Sequence, residues 1–279
     1  MPDIAYVNGR FGSLADAVVS IEDRGFQFGD GVYEVIRTYR GQPFAIEEHM
    51  ARLERSAQAL QLSIGQTSAQ WSSLIREGLR LSQFAETKIY LQITRGQAPR
   101  DHPFPVSSAP TTVLTFRELH PLDVSVRNAG VQAMSIEDIR WGRCDIKSVN
   151  LLANVLARQR AKEAGVFEAI LVREGTVTEG SVSNVMVVRN GAVQTAPEGR
   201  RILSGVTRAI VLDLARKEGI PVAESFVTRE ELLAASEVFL TGTTVEVLPV
   251  VRVDGHAIGG GSPGPVSQLL SRRFEALIG

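Results

Sequence analysis

The sequence predicts a mixed α/β protein of two domains, because short β-rich segments alternate with amphipathic helical segments along most of its 279 residues. Asn-Gly and Asp-Gly pairs close several of the β-rich segments, as they do in tight hairpins. The strand pattern stops near His120, and a new alternation of strands and helices begins after it. We therefore expect one α/β domain over residues 1–120 and a second, also with a mixed sheet, over residues 121–279.

In the first domain, β-branched and aromatic residues predict strands, and apolar residues spaced three or four positions apart predict helices. The predicted strands are Ile4–Val7, Ala17–Ile21, Val32–Tyr39, Lys88–Thr94 and Thr112–Phe116. The predicted helices cover residues 46–60 and 68–82. Prolines interrupt residues 96–105, which we expect to form an irregular loop.

The second domain repeats the alternation with other lengths. Its predicted strands are Val131–Ile136, Phe167–Val172, Val185–Val188, Val222–Phe226, Glu237–Leu240 and Val247–Val253. Its predicted helices are Leu151–Ala164, Gly205–Lys217 and Val266–Ile278, of which the first two stop at a glycine.

Composition excludes several classes of function. Lys and Arg number 30 and Asp and Glu 31, so the broad positive field that non-specific nucleic-acid binding needs is missing. No apolar run approaches the roughly 20 residues of a membrane helix, and no secretory signal is visible at the N-terminus. The single cysteine, Cys144, favours a reducing compartment, so we expect a cytoplasmic protein. The four histidines are scattered, and we expect no metal site.

Lys147 is the first candidate for chemistry, because the chain has only four lysines and this one lies between a predicted strand and a predicted helix. Arg140 and Arg143 are close to it in sequence. If they were also close in space, their charge would lower the pKa of the lysine and favour the neutral amine that Schiff-base formation needs. The alternative is a solvated loop lysine.

Two segments are candidates for binding an anion. Residues 203–208 lead into a predicted helix whose free amides, with the Thr207 hydroxyl, suit a phosphate. Residues 241–244 follow a strand and offer further hydroxyls and amides. Ordinary helix capping and an ordinary turn are the alternatives.

Other polar positions have ordinary structural interpretations. Arg100 and His102 could clamp a carboxylate from the proline-rich loop, or could be solvated. Glu179 could be a surface carboxylate. Tyr33 could simply pack in its strand, and Arg52 could be a charged position on an amphipathic helix.

Four segments together resemble a known family. Residues 22–35, 100–102, 140–148 and 176–181 occur in the order and spacing found in fold type IV pyridoxal-phosphate enzymes, and among these they resemble bacterial D-amino-acid aminotransferases. The resemblance covers nearly the whole chain. It implies a two-domain fold with the active site at the domain interface, pyridoxal 5′-phosphate as cofactor, and a homodimer.

The resemblance also implies roles for individual residues. Lys147 would form the Schiff base and shuttle a proton, and Glu179 would bond the pyridine nitrogen. The phosphate and ring would be held by Arg52, Leu203, Val206, Thr207 and Thr243. The substrate α-carboxylate would be bound by Tyr33, Arg100 and His102, of which the last two would come from the neighbouring subunit.

The implied reaction moves the amino group of a D-amino acid, of the D-alanine or D-glutamate type, to a 2-oxo acid such as 2-oxoglutarate or pyruvate. A branched-chain L-amino-acid transaminase, an (R)-amine:pyruvate transaminase, an aminodeoxychorismate lyase and a non-catalytic binding protein are alternatives. Two positions stand apart from the pattern. Val182 occupies a position where a serine would fit the pattern of the resembled enzymes. Arg37 could reach a substrate side-chain carboxylate or pair with an acid.

Overall fold

The computed structural model describes residues 3–279. Met1 and Pro2, which begin the N-terminal stretch where no secretory signal is expected, lie outside the described residues. The chain divides into two compact units. We call the described residues up to His120, together with Ile146–Asn150, the N-terminal unit, and we call Pro121–Asp145 with Leu151–Gly279 the C-terminal unit. As a boundary between domains, the division between residues 120 and 121 stays a prediction.

The N-terminal unit is built on a six-stranded sheet with three α-helices. Its elements are β1 Ile4–Val7, β2 Arg10–Ser13, α1 Arg24–Phe28, β3 Gly31–Tyr39, β4 Gln42–Pro43, α2 Ile46–Ala59, α3 Ser68–Ser82, β5 Thr87–Thr94 and β6 Thr111–Glu118. The strand order is β2-β1-β6-β5-β3-β4, and every pairing is antiparallel.

One face of this sheet carries the core of the N-terminal unit. Ile36, Leu91 and Phe116 are fully buried there, against apolar residues of α2 and α3 such as Leu53 and Ile75. Because side chains alternate along a strand, Tyr33, next to the buried Val32, belongs to the opposite face. The alternation thus separates the positions that stabilise the unit from those that can meet a ligand.

The C-terminal unit contains a ten-stranded mixed sheet and five α-helices among its described residues. Its elements are α4 Val124–Ala129, β7 Val131–Glu137, α5 Leu152–Glu163, β8 Glu168–Arg173, β9 Thr176–Gly180, β10 Asn184–Arg189, β11 Ala192–Thr195, α6 Val206–Lys217, β12 Val222–Glu224, β13 Val227–Thr228, α7 Arg229–Leu233, β14 Glu237–Gly242, β15 Glu246–Val253, β16 His256–Ala257 and α8 Pro265–Ile278. The order is β12-β11-β10-β14-β15-β7-β8-β9-β13, with β16 beside β15.

The central strand β14 contains a continuous run of valine, phenylalanine and leucine. Val238, Phe239 and Leu240 in β14 are all buried, so both faces of the strand are covered. Parallel pairing occurs where β7 lies between β15 and β8, and again between β11 and β12. The mixed sheet follows from this combination of hairpins and crossovers.

One strand expected from the sequence is absent. Residues 17–21 form no strand, and Val18 and Ile21 are 79% and 74% exposed. These residues favour strands, but no other described strand lies beside them to form the backbone hydrogen bonds and side-chain contacts that a strand needs. Ile146–Asn150, the segment that contains Lys147, pairs with the backbone of β3 and is grouped with the N-terminal unit. The assignment of Lys147 to a C-terminal domain stays a prediction.

Candidate active site

Lys147 lies in a segment whose backbone is fixed on two sides. Its carbonyl accepts a 3.0 Å hydrogen bond from the amide of Tyr33, and its own amide donates to Oγ of Ser56 at 3.1 Å. The amide of Val149 donates to the carbonyl of Gly31, so the segment runs along the start of β3. These bonds leave little freedom to the backbone that carries the Lys147 amine.

The amine of Lys147 is directed at an aromatic ring. Nζ lies 4.2 Å from the centroid of the Tyr33 ring. Tyr33 in turn stacks on Tyr90, with centroids 5.5 Å apart and ring planes at 28°. The Tyr90 hydroxyl donates to Gln92 at 2.6 Å, and burial, with a smaller contribution from Tyr33, raises the pKa of Tyr90 well above its ordinary value. Tyr90 is therefore a neutral support for Tyr33.

Arg52 is buried and paired, rather than exposed on α2. Its Nε and Nη2 donate to the two carboxylate oxygens of Glu34 at 2.7 and 2.8 Å. Nδ1 of His49 contacts the same carboxylate at 2.8 Å. Burial raises the pKa of Glu34, but Arg52 and then His49 outweigh it and hold that pKa far below its ordinary value. The carboxylate thus fixes the orientation of the Arg52 guanidinium.

His49 completes this buried group as a neutral side chain. Burial lowers the pKa of His49, against the opposing effect of Glu34 and with the support of the Arg52 charge. A neutral imidazole beside a carboxylate must carry its hydrogen on the nearer nitrogen, so Nδ1 donates to Glu34. The role of Arg52 toward a phosphate stays a prediction.

Arg100 and His102 lie on an exposed loop of the N-terminal unit. The Arg100 guanidinium is 4.6 Å from the centroid of Phe28, and the His102 ring centroid is 5.5 Å from the same ring. Nη1 of Arg100 also donates to the Gln27 carbonyl at 3.3 Å. Arg100 and His102 therefore both contact α1. Tyr33, the third residue expected to bind the carboxylate, instead contacts Lys147.

In the C-terminal unit, Glu179 lies in β9 and is 5% exposed, so it is not a surface carboxylate. Arg140 pairs with its Oε1, while the Asn184 side chain and the Leu203 amide each donate to Oε2 at 3.0 Å. Burial raises the pKa of Glu179 above its ordinary value, against the opposing charge of Arg140. A carboxylate can accept about four hydrogen bonds. With three donors present, Oε1 has the capacity to accept one more N–H group, and a protonated pyridine nitrogen is such a donor.

Arg140 is a functional candidate that the sequence did not reveal in this role. Its Nε and Nη2 donate to the two oxygens of Asp138 at 2.9 Å each, and Asp138 also accepts from Thr178. Arg143 pairs with Asp145. Both arginines are thus matched by carboxylates, which gives no support to the hypothesis that their charges act on Lys147. In the sequence, only the two-residue spacing of Asp138 and Arg140 could have indicated the ion pair between them.

The N-terminus of α6 is suited to an anion. Gly205 is the N-cap residue and provides no side-chain cap, and the first turn contains no acidic residue. A Cβ at Gly205 would lie 2.0 Å from Oδ1 of Asn184, so only glycine permits this close approach. Val206 and Thr207 follow as the first residues of the helix. Their amides point out of the helix at its positive end, as phosphate binding requires.

A second set of hydroxyl groups lies at the end of β14. Thr243 is half-buried in the turn between β14 and β15. Oγ1 of Thr241 is buried and has no hydrogen-bond partner among the described residues. Thr241 pairs with Asn184 in the sheet, and Asn184 binds both Glu179 and the Leu203 carbonyl. A buried hydroxyl without a partner is costly, so this place suits a polar ligand.

The loop after Glu179 is held by a buried carboxylate. Glu168 is fully buried and accepts hydrogen bonds from the hydroxyls of Ser181 and Ser183. Val182 between them is 66% exposed. The hydrogen bonds of this loop therefore do not depend on the residue at position 182.

Arg37 lies on the same face of β3 as Tyr33, as its spacing predicts. Its Nη2 is 3.2 Å from Oε2 of Glu86, and its guanidinium lies 4.3 Å from the Tyr39 ring centroid. Of the two interpretations, the structure therefore contains the pairing with an acid.

The described part of the chain, residues 3–279, contains no group of three or more His, Cys, Asp or Glu side chains placed to bind a metal ion. Within the same residues, none of the helices is both long and apolar enough to cross a bilayer.

Comparison with known proteins identifies relatives along the whole chain. The D-alanine aminotransferase of Bacillus licheniformis is 46% identical over 272 residues, which cover 97% of this chain and 95% of the relative. The D-alanine aminotransferase of Staphylococcus haemolyticus is 42% identical over 273 residues, covering 98% and 97%.

Solved structures give the same fold. The branched-chain amino acid aminotransferase of Escherichia coli superposes with a TM-score of 0.93 at 28% identity, covering 100% of this chain and 95% of the other. The T.th. branched-chain amino acid aminotransferase, solved with pyridoxamine 5′-phosphate, has a TM-score of 0.92 at 28% identity, covering 100% and 94%. The mixed α/β fold of type IV is thereby confirmed. The family model described as amino-transferase class IV matches residues 31–253, so the chain belongs to the class IV aminotransferase family.

Proposed function

We propose that this protein is a pyridoxal-phosphate-dependent transaminase that moves the amino group of a D-amino acid to a 2-oxo acid. The observation that carries the proposal is the placement of the Lys147 amine 4.2 Å from the Tyr33 ring centroid, on a backbone fixed by β3 and Ser56. D-alanine aminotransferases 46% and 42% identical to this chain support the choice of reaction.

The bound cofactor would supply an electron sink for the bond that breaks at the substrate α-carbon. Lys147 would hold the cofactor through Nζ and, once released by substrate, would accept the α-proton at Nζ and return it. In the C-terminal unit, Glu179 would bind the ring nitrogen through Oε1. Val206, Thr207 and Thr243 would hold the phosphate, with Arg52 from the N-terminal unit.

The substrate α-carboxylate would be bound by Tyr33, Arg100 and His102. A hydroxyl, a guanidinium and an imidazole are all able to donate hydrogen bonds to a carboxylate. With the carboxylate fixed on one side, only one face of the α-carbon would be turned toward Nζ of Lys147. Proton return from that side alone would give a single enantiomer, here the D form.

We infer further that Arg100 and His102 act in the site of a partner subunit. Each unit exposes apolar side chains that a monomer would leave in water, which is typical of a protein interface. On the N-terminal unit these include Val18, Ile21, Phe26 and Phe104, and on the C-terminal unit Ile139, Leu152, Val155 and Leu156. The single cysteine in the sequence supports a cytoplasmic location for this dimer.

Mixed dimers test the cross-subunit proposal. Lys147→Ala lacks the amine, and Arg100→Met with His102→Phe lacks the carboxylate donors, so each parent dimer should be inactive. In a mixed dimer, the subunit with an intact lysine would receive the intact loop of its partner, and one complete site would form. Recovery of activity on mixing therefore supports the proposal. No recovery, with mixed dimers present by mass, would place the loop in its own subunit's site.

A branched-chain L-amino-acid transaminase is the second candidate, because the solved structures named above are branched-chain amino acid aminotransferases. A substrate panel separates the two. Purified protein loaded with pyridoxal phosphate is given D-alanine and 2-oxoglutarate, and in parallel L-leucine and 2-oxoglutarate. Faster transfer from D-alanine supports the proposal, and faster transfer from L-leucine would replace it by the second candidate.

A further inference from the structure

The loop that carries Arg100 and His102 has little regular structure of its own. Gln97 forms an isolated bridge to Asp23, and the residues after it are irregular up to Thr111, where β6 begins. The side chains of Arg100 and His102 are both exposed. Such a loop would be expected to sample many conformations, so some other contact must define where its side chains stand.

Arg24 makes that contact. It is 3% exposed and lies at the first position of α1. Its Nη1 donates to the carbonyl of Asp101 at 2.6 Å, and its Nη2 lies 3.2 Å from the carbonyl of His102. One guanidinium thus binds two successive carbonyls of the exposed loop, through N–H groups held in a rigid planar fork.

Arg24 is itself held in place by Asp30. Its Nε donates to Oδ2 of Asp30 at 2.8 Å. Arg95 binds the same carboxylate through Nε and Nη2, at 2.8 and 3.0 Å, and lies 3.7 Å from the ring centroid of Phe104 in the same loop. All these residues belong to the N-terminal unit, so the loop is anchored within one compact unit.

The ring of Phe28 completes the arrangement. The Arg24 guanidinium lies 4.8 Å from its centroid, the Arg100 guanidinium 4.6 Å, and the His102 ring centroid 5.5 Å. Residues of α1 therefore contact both parts of the loop: Arg24 binds its backbone, and the Phe28 ring contacts the side chains of Arg100 and His102.

We propose that Arg24 is a positioning residue that fixes the backbone at residues 101 and 102 and so holds Arg100 and His102 ready for a substrate carboxylate. This inference rests on the proposed function, which gives those two side chains their ligand. Ordering a loop costs conformational entropy. If the loop is already ordered before substrate binds, this cost does not reduce the binding free energy of the substrate. Removing the anchor should therefore weaken substrate binding without touching the covalent attachment of the cofactor.

The test combines a structural readout with a kinetic one. Arg24→Met keeps the apolar stem and removes the guanidinium, while Arg95 still neutralises Asp30. We expect faster hydrogen exchange across residues 98–104, a rise of about tenfold in KM for D-alanine, and a smaller change in kcat. The visible absorbance of the attached cofactor should be retained. Arg24→Lys should lie between wild type and Arg24→Met, and it serves if the methionine variant does not fold.

Arg229→Met is the matched control, because Arg229 also pairs with an aspartate, Asp254, at 2.7 Å but lies in the C-terminal unit. It should leave both the exchange of residues 98–104 and the KM for D-alanine unchanged. Unaltered exchange of the loop in Arg24→Met would overturn the inference, and so would faster exchange with an unaltered KM. If wild type transfers no amino group from D-amino acids, the proposed function fails, and loop exchange alone then decides whether Arg24 anchors the loop.

Discussion

The side-chain amine of Lys147 lies over the ring of Tyr33, 4.2 Å from its centroid, and a 3.0 Å hydrogen bond joins the backbones of the same two residues. The two side chains are 114 positions apart in sequence (147 minus 33) and are brought together by the pairing of Ile146–Asn150 with β3. The residue that we propose transfers the proton and the residue that we propose binds the substrate carboxylate are thus joined through their backbones.

Replacing Tyr33 by phenylalanine separates the ring from its hydroxyl. The ring still supports Lys147, so cofactor attachment should persist, but one hydrogen bond to the substrate carboxylate is lost. We expect KM for D-alanine to rise about tenfold, equivalent to about 1.4 kcal/mol. Tyr90→Phe is the control, because its hydroxyl binds Gln92, and it should change KM less than about twofold. Equal effects of the two changes would count against a substrate contact by Tyr33.

Replacing Glu179 by glutamine removes the charge expected to face the ring nitrogen while keeping the shape of the side chain. We expect kcat to fall by roughly 10²-fold, as for other groups that stabilise charge in a transition state. Arg140→Met should also lower kcat, because it leaves the buried Glu179 without its cationic partner. Arg143→Met, whose partner is Asp145, should leave kcat unchanged. Full activity of Glu179→Gln in steady-state assays would remove Glu179 from its role.

Gly78 tests the packing of α3 on the sheet. An alanine there gains up to about 1 kcal/mol of helix propensity, but its Cβ would fall within 2.0–2.5 Å of ring atoms of the fully buried Phe116. Overpacking of this kind costs about 1–3 kcal/mol, so Gly78→Ala should lower the free energy of unfolding in urea. Ser73→Ala, at an exposed position of the same helix, should be neutral or slightly stabilising. A stabilised Gly78→Ala would contradict the described contact.

Asp30 predicts a dependence of stability on pH. Burial raises the pKa of Asp30, but hydrogen bonds from Arg95 and Arg24 outweigh it and hold the pKa below its ordinary value of 3.8. The ionised carboxylate therefore stabilises the folded protein above that ordinary value, and the contribution is lost as the pH falls through the lower folded value. Asp30→Asn should cost roughly 3 kcal/mol near neutral pH, because two buried arginines lose their shared partner.

Urea unfolding of wild type and Asp30→Asn at a series of pH values measures this effect. The difference in unfolding free energy should shrink as the solution is acidified below pH 3.8. Asp213→Asn is the control, since Asp213 forms an exposed pair with Arg216 and should change stability little at any pH. If the difference in unfolding free energy between wild type and Asp30→Asn grew on acidification, the assignment of a lowered pKa to Asp30 would be wrong.

Local patterns predicted most of the central strands and the long helices, because period-two and three-to-four spacing are properties of short segments. Ala17–Ile21 shows the limit of that reasoning. Its residues favour strands, yet no strand lies beside it, and Val18 is exposed. β9 was missed for the converse reason, since Thr176–Gly180 reads as a polar loop and becomes a strand only through its pairing with β8 and β13.

The candidate site shows the same division. The fold and the family could be predicted from motif order and are confirmed, while the roles of individual site residues stay predictions. The partners of those residues could not be predicted. Arg140 meets Glu179 across 39 positions, and Arg24 meets Asp101 across 77. Contacts at such separations depend on the register of strands and the path of loops, which no local pattern contains.

The covalent bond between Nζ of Lys147 and the cofactor is the claim on which the account depends. It is tested most directly by reducing the pyridoxal-phosphate-loaded protein with borohydride, digesting it, and locating the modified residue by mass spectrometry. The account predicts a single phosphopyridoxyl group, carried by Lys147, and no such group in Lys147→Ala. Modification of Lys88, Lys162 or Lys217 in its place, or an unmodified Lys147 in active protein, would contradict it.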